Sequence, residues 1–325
     1  MSISVISAGD ILCIIYFHTK LAKKKHIVYD NAIIASRQTI FMVHFHLERE
    51  LFHLGRIHLS FYDVIFRVKL RSKTGPARKF QKRFDNVAHR YEKMSFEGSK
   101  GSKLVALKEQ ELIKSIYKES FSDKKKVLDI GAGNGRWSKL FLSMGCEVFS
   151  LDNSQEMCKI LRNIEGITVI RGNAEEQDIG EIFEIIFSMR TLKYTDLRKV
   201  IANLDKNLNT SGVMILELPN ANNPFYLSGR FLSPILGHVI EGNSILEYLN
   251  ATNYYTQKGA RKIFSNFGYE VVGVKKLFFF PQFFYSKTNN VHVLNIMRAL
   301  DSIFYRVFPT QFIFIIKRIN SQPKS

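Results

Sequence analysis

Cysteine is scarce in this 325-residue chain: Cys13, Cys146 and Cys158 are widely spaced and form no CxxC pair. An odd, dispersed set supplies neither a disulfide framework nor a zinc site, so a reducing, cytoplasmic setting is expected. Long hydrophobic runs are also missing. A spanning helix needs roughly 18 consecutive apolar residues. The longest candidates, Ile11 to Phe17, Leu277 to Tyr285 and Phe312 to Ile316, stop well short, and no membrane crossing is expected. An export leader starts with positive charge and runs into a longer apolar stretch; here the first lysine, Lys20, comes after the apolar residues, so none is expected. Acidic residues are the third shortage, 29 Asp and Glu against 47 Lys and Arg, which leaves a formal net charge of +18. Such a surface attracts anions, whether phosphorylated substrates, anionic lipid or RNA, and charge alone does not choose among them. Apolar residues are plentiful. At 46% hydrophobic, the chain can bury one sizeable core with extensions or two modest domains.

Six of the nine histidines (His18, His26, His44, His46, His53 and His58) fall in residues 1–75, among aromatics without clear periodicity. His44 and His46 alternate with Phe45, but no third ligand of suitable spacing stands out, so no metal is assigned. From Pro76 the pattern sharpens. Phe80, Phe84, Val87 and Tyr91 recur at helical steps, and Ser102 to about Tyr117 reads as a second amphipathic helix. After Lys126, short apolar runs alternate with helical patterns, the signature of a parallel sheet wound by crossover helices. Strands are expected at Lys126–Ile130, Glu147–Leu151, Thr168–Arg171, Ile185–Ser188 and Val213–Leu218. The helices between them are placed at Arg136–Met144, Ser154–Asn163 and Asp196–Asn207. Downstream, Tyr269–Phe280 and Gln311–Lys317 read as a final antiparallel pair. A helix carrying Val293, Met297, Leu300, Phe304 and Val307 lies between them.

The chemistry concentrates in Val127-Leu128-Asp129-Ile130-Gly131-Ala132-Gly133-Asn134-Gly135-Arg136-Trp137, where a buried strand enters a glycine-rich turn and then a helix. Glycine suits a backbone that turns sharply and approaches a ligand closely. A dinucleotide fingerprint would place a third glycine where Arg136 stands, which weakens a pyrophosphate reading. Asp152, 23 positions after Asp129 and at the end of the second strand, is placed to accept hydrogen bonds from both hydroxyls of an unphosphorylated ribose.

These residues resemble the first motif of class I S-adenosylmethionine-dependent methyltransferases, and Leu151-Asp152-Asn153-Ser154 resembles the second. Arg171-Gly172-Asn173-Ala174-Glu175 is similar to the loop that lines the adenine in that family. Phe187-Ser188-Met189-Arg190-Thr191-Leu192-Lys193-Tyr194 is similar to the fourth motif, whose backbone flanks the methionine part of the cofactor. Phe84-Asp85-Asn86-Val87-Ala88-His89-Arg90-Tyr91 is like the lead-in of many small-molecule members, where the tyrosine closes over the cofactor. The resemblance runs from about Phe84 to Leu218 and continues more weakly through Tyr255-Thr256-Gln257 and Phe267-Gly268-Tyr269-Glu270. It implies an α/β fold: a doubly wound, Rossmann-like, seven-stranded sheet with an antiparallel last strand, an N-terminal extension and helical insertions on the substrate side. It implies S-adenosylmethionine as cofactor, with Tyr91, Asp129, Gly131, Ala132, Gly133, Gly135, Asp152, Asn153, Asn173, Ala174, Met189 and Arg190 as binding residues. Lys193, where many relatives carry histidine, and Asn209-Thr210-Ser211-Gly212, in place of the usual proline and paired glycines, are departures that bear on the acceptor more than on the cofactor.

The expected organisation is an extension over 1–75, a helical lead-in over 76–122, a cofactor-binding core over 123–220, and a region over 221–325 holding a substrate-side insertion, the final strands and an amphipathic helix. Methyl transfer from a sulfonium needs alignment and a desolvated pocket more than covalent help. A hydroxyl acceptor would also need a base, for which Tyr194, His238, Glu241, Tyr254 and Tyr255 are candidates on the substrate side. The apolar stretch from Phe225 to Gly242 suggests a lipid-like or quinone-type small molecule, though core packing of a cover helix explains it equally well. The run Leu277–Tyr285, between Lys275, Lys276 and Lys287, is a candidate for peripheral contact with an anionic membrane; a buried strand with its exit loop is the competing reading. RNA is the rival acceptor, suggested by Arg67, Lys69, Arg71, Lys73, Arg78, Lys79, Lys82 and Arg83. Against it, no Asn/Asp-Pro-Pro-Tyr/Phe type motif follows the fourth strand. A cofactor-binding fold turned scaffold is the non-enzymatic reading.

Overall fold

The computed structural model describes residues 77–91, 93–228 and 252–319, together with a two-residue parallel pairing of Ile15–Tyr16 with Val43–His44. The chain divides into two units, Met1–Arg71 and Ser72–Ser325. The second holds a seven-stranded sheet of β1 (Lys126–Ile130), β2 (Glu147–Asp152), β3 (Ile167–Arg171), β4 (Phe183–Ser188), β5 (Leu208–Pro219), β6 (Tyr269–Leu277) and β7 (Gln311–Arg318). Their order across the sheet is β3-β2-β1-β4-β5-β7-β6. Strands β1 to β5 pair in parallel, and β7 runs antiparallel to both β5 and β6.

The central strands are apolar at successive positions because helices cover both faces of the sheet. Val127, Val148, Ile185, Val213 and Ile313 face one core, shared with α2 (Lys100–Ser120), α3 (Arg136–Ser143) and α8 (Val291–Phe304). Their neighbours Leu128, Phe149, Ile186, Met214 and Phe312 face the other, shared with α5 (Leu197–Leu204) and α6 (Gln257–Asn266). The remaining helices are α1 (Ala77–Val87), α4 (Gln155–Arg162) and the short α7 (Gln282–Ser286). Capping side chains set the starts of several: Ser99, Ser154, Asp196, Thr256 and Asn290 each accept from a backbone N–H of the first turn.

Two strand boundaries differ from the sequence expectation by three residues or more. Strand β5 begins at Leu208, so Asn209–Gly212 lies inside it, and a register shift between Phe183 and Ile185 on β4 accommodates the extra residues. Strand β6 ends at Leu277 because Phe278 takes φ +46, which no strand continues through. Among the described residues no helix is long and apolar enough to cross a membrane, and no cluster of three His, Cys, Asp or Glu could hold a metal ion. The order of the strands reverses between β1 and β4, and in such sheets ligands bind beyond the carboxyl ends at that switch point.

Candidate functional site

At this switch point opens a cleft with about 990 Å³ of empty space, its mouth included. Its floor is the turn after β1. Gly131 has φ +68, and a Cβ there would stand 2.1 Å from Thr191 Oγ1, so the turn lies hard against the loop after β4. Gly133 has φ +58, but the nearest atom to a Cβ built there is 4.0 Å away: this residue faces open space rather than a packed neighbour. The turn is tied to β2 by Gly131 N and Ala132 N, which both donate to Leu151 O at 2.7 and 3.2 Å.

Asp152 closes this arrangement. Its Oδ2 accepts from Gly133 N and its Oδ1 from Ser154 N, each at 2.8 Å. Burial raises the carboxyl above its ordinary pKa, the backbone N–H groups of Ser154, Gly133 and Asn153 oppose that shift only in part, and nearby Asp85 adds to it. Each oxygen takes one N–H and keeps acceptor capacity toward the cleft. Helix α1 roofs this end: Gln81 Nε2 donates to Asn153 O at 3.1 Å, and Asp85 accepts from Ser154 Oγ at 2.6 Å and Glu156 N at 3.3 Å. Phe84 packs edge-on against Tyr91 and Tyr194, with ring centroids 6.0 and 5.5 Å apart, and Tyr91 packs in turn on Phe96.

The opposite wall is charged and buried. Glu109 of α2, with no exposed surface, bridges two guanidinium groups, Arg136 Nη1 at 3.0 Å and Arg190 Nη2. Both cations lie against the Phe96 ring, at 4.2 and 5.1 Å from its centroid. Burial lowers the Arg136 pKa, Glu109 opposes that shift and Arg190 adds to it. Arg190 has φ +65, an uncommon conformation for a side-chain-bearing residue, and its N–H donates to buried Glu217 at 2.8 Å. Its guanidinium also reaches Gln282 of α7, while its Nε–H has no partner.

Of the residues expected to bind cofactor, Tyr91, Gly131, Ala132, Gly133, Asp152, Asn153, Asn173, Ala174, Met189 and Arg190 line this one cleft. Asp129 and Gly135 are not among its lining residues. Asp129 is buried beneath the turn, accepts from Ser138 Oγ at 2.6 Å and has its pKa raised to about 7, chiefly by burial. Gly135 caps α3 and is packed against Ile164. The Asn173 Oδ1 accepts from Glu175 N at 3.1 Å, an Asx turn that shapes the loop. Of the base candidates Tyr194 lines the cleft, whereas Tyr254 packs on Tyr226 at 4.9 Å and Tyr255 is half-buried, its pKa raised to about 12 chiefly by loss of solvent around the hydroxyl. His238, Glu241, most of the apolar stretch before Gly242, the amino-terminal histidine side chains and Arg67 to Lys73 lie outside the described residues.

Sequence reasoning missed the Glu109 bridge. A signal was present: Glu109 sits four residues from both Val105 and Ile113, on the buried stripe of α2, where a carboxylate demands a partner.

Comparison with known proteins bears on the fold. Residues 127–212 match a family model described as a methyltransferase domain. Magnesium protoporphyrin IX methyltransferase from Synechocystis PCC 6803, crystallised with bound SAH, shares the fold with TM-score 0.52 at 14% identity, over 75% of this chain and 99% of that one. An S-adenosylmethionine-dependent methyltransferase from Mesorhizobium loti aligns at TM-score 0.44 and 16% identity, over 59% of this chain and 90% of that one. No curated protein matches the sequence.

Proposed function

We propose that this chain, which carries a methyltransferase domain of the class I fold, binds S-adenosylmethionine and transfers its methyl group to a small, apolar acceptor of lipid-like or quinone type. The observation that carries the cofactor assignment is the pairing of Gly133 with Asp152. A turn open at the one position where a Cβ would project into free space stands 2.8 Å from a carboxylate whose two oxygens keep capacity for a pair of vicinal hydroxyls.

When bound, the cofactor supplies a sulfonium methyl group for in-line displacement. The chain's own part is to hold, orient and exclude water. Asp152 receives the ribose hydroxyls, the loop from Gly172 to Ala174 borders the base, and Met189 and Arg190 flank the methionine end. Phe84, Tyr91 and Tyr194 form an aromatic cover that keeps water from the reacting centre. The Glu109, Arg136 and Arg190 cluster carries a net positive charge on the adjoining wall, which suits a carboxylate-bearing ligand. For a hydroxyl acceptor, Tyr194 is the base candidate that the cleft contains.

The apolar character of the acceptor rests on the sequence after β5, where Phe225, Leu227, Phe231, Leu232, Ile235 and Leu236 crowd together. Incubation with methyl-labelled cofactor and either a total lipid extract or total RNA tests this reading. The label is expected in the organic-soluble fraction; label confined to RNA, or no transfer from a chain that binds the cofactor, would overturn the acceptor class.

A further inference from the structure

The helix α8 presents two faces that do different work. Leu294, Met297 and Asp301 point into the core. On the adjacent arc Ile296, Leu300 and Ile303 follow one another at steps of four and three, Val307 follows in the turn just past the helix, and Ile296, Ile303 and Val307 are 60%, 62% and 61% exposed. A helix that has already buried one stripe rarely leaves a second aliphatic stripe in water without a partner for it.

The stripe does not end with the helix. From Phe304 the rings run through Phe279, Phe225 and Phe284 to Phe283, each 4.3–5.3 Å from the next, and the last two stand 37% exposed on α7. For the run Leu277–Tyr285 the sequence leaves surface contact and a buried strand with its exit loop as competing readings; Leu277, Phe278 and Tyr285 are buried, and Phe283 and Phe284 are its exposed pair.

Charge chooses the occupant. Between Lys275 and Val307 the chain carries Lys275, Lys276, Lys287, Arg298 and Arg306, all exposed, against a single acid. That acid, Asp301, is buried and holds the Tyr285 hydroxyl and Phe279 N. An aliphatic and aromatic face whose own segment carries five exposed cations and no exposed carboxylate matches a bilayer bearing anionic headgroups. A second copy of the chain fits less well, because a two-fold contact through this face would bring like-charged rims together.

We propose that α8 and the Phe283–Phe284 tip of α7 form a docking face for an anionic membrane surface. Docking there would set the cleft beside the bilayer, since Gln282, next to Phe283, bonds both Arg190 of the cleft wall and Ser95 O. The proposal stands apart from the methyl-transfer reading, because lipid binding is measured without cofactor.

Flotation of the full chain with phosphatidylcholine vesicles, with and without phosphatidylserine, tests it. The chain is expected to float with the phosphatidylserine vesicles alone, and less so as salt rises. The double variant Ile296→Glu, Ile303→Glu should bind at least roughly tenfold more weakly with its melting temperature preserved. Should that variant unfold, an environment-sensitive fluorophore on Ile303→Cys provides a second readout, expected to shift to the blue with phosphatidylserine vesicles beyond any shift of the labelled parent chain. Absence of flotation at low salt, flotation or probe signal indifferent to these positions, or a concentration-dependent dimer that the double variant abolishes would each overturn the proposal.

Discussion

Replacing Glu109 with glutamine removes the anion between two buried guanidinium groups while keeping the side chain's shape. In the native chain, Glu109 bonds Arg136 Nη1 at 3.0 Å and also bonds Arg190, and all three side chains are buried. The E109Q chain would hold two cations against one Phe96 ring, with Glu217 beside Arg190 as the remaining buried acid. Removing one partner of a buried ion pair costs about 3–5 kcal/mol, because the charge left behind is uncompensated. For a unit of this size each kcal/mol lowers the melting temperature by about 2–4 °C, so E109Q should melt roughly 6–20 °C below the native chain. Adding Arg136→Met to E109Q removes one of the stranded charges. The double variant should therefore cost less than the sum of the two single changes, by about 1–3 kcal/mol. Calorimetric melting of the four chains closes the cycle. A fall of under 2 °C for E109Q, or strict additivity, would refute the reasoning.

Gly131→Ala and Gly133→Ala both force a side chain into φ above zero, at about 1–2 kcal/mol each, but only the first meets Thr191, so it should be the less stable by a further ~1 kcal/mol. Denaturant unfolding reads that difference, and G133A should fold yet bind cofactor more weakly, because its methyl projects into the cleft. Burial holds the Asp129 carboxyl at about 7 in the folded chain, above its unfolded value near 3.9. The folded state therefore binds more protons between those values, and stability contributed by this group falls as pH rises through them. Asp129→Asn should flatten that decline when melting temperatures of the two chains are compared from pH 4 to 8; parallel curves would contradict it.

Much of the sheet was legible because local pattern and global fold agree. Val127-Leu128-Asp129-Ile130, apolar but for its acid and leading into a glycine-rich turn, reads as a strand covered on both faces, and β1 has the bounds the sequence predicts. The spacing of the glycines and Asp152 brought ten of the expected residues to one cleft, since motif residues at the carboxyl ends of parallel strands converge wherever the strand order reverses. Contacts between distant segments were hidden. Glu109 meets Arg136 and Arg190 across 27 and 81 residues, and nothing local to any of them announces the other two. Asn209–Gly212 fell outside the expected strand Val213–Leu218, since Asn and Gly favour turns, yet pairing with β4 and a bulge carries the strand through them. The exposure of Ile296 and Ile303 was equally hidden, because helical spacing alone does not tell a buried stripe from one in water.

Calorimetric titration of the chain and of its Asp152→Asn variant with S-adenosylmethionine tests the site most directly. The amide keeps one acceptor oxygen but turns its NH₂ toward a backbone donor at Gly133 or Ser154. The native chain should bind one equivalent saturably. A loss of about 2–4 kcal/mol should weaken the variant roughly 30-fold to several hundredfold, and the backbone donor left unpaired should lower folding stability by about 1–3 kcal/mol. A well-folded native chain that takes up neither this molecule nor its demethylated product, or a variant that binds as tightly as the native, would contradict the account.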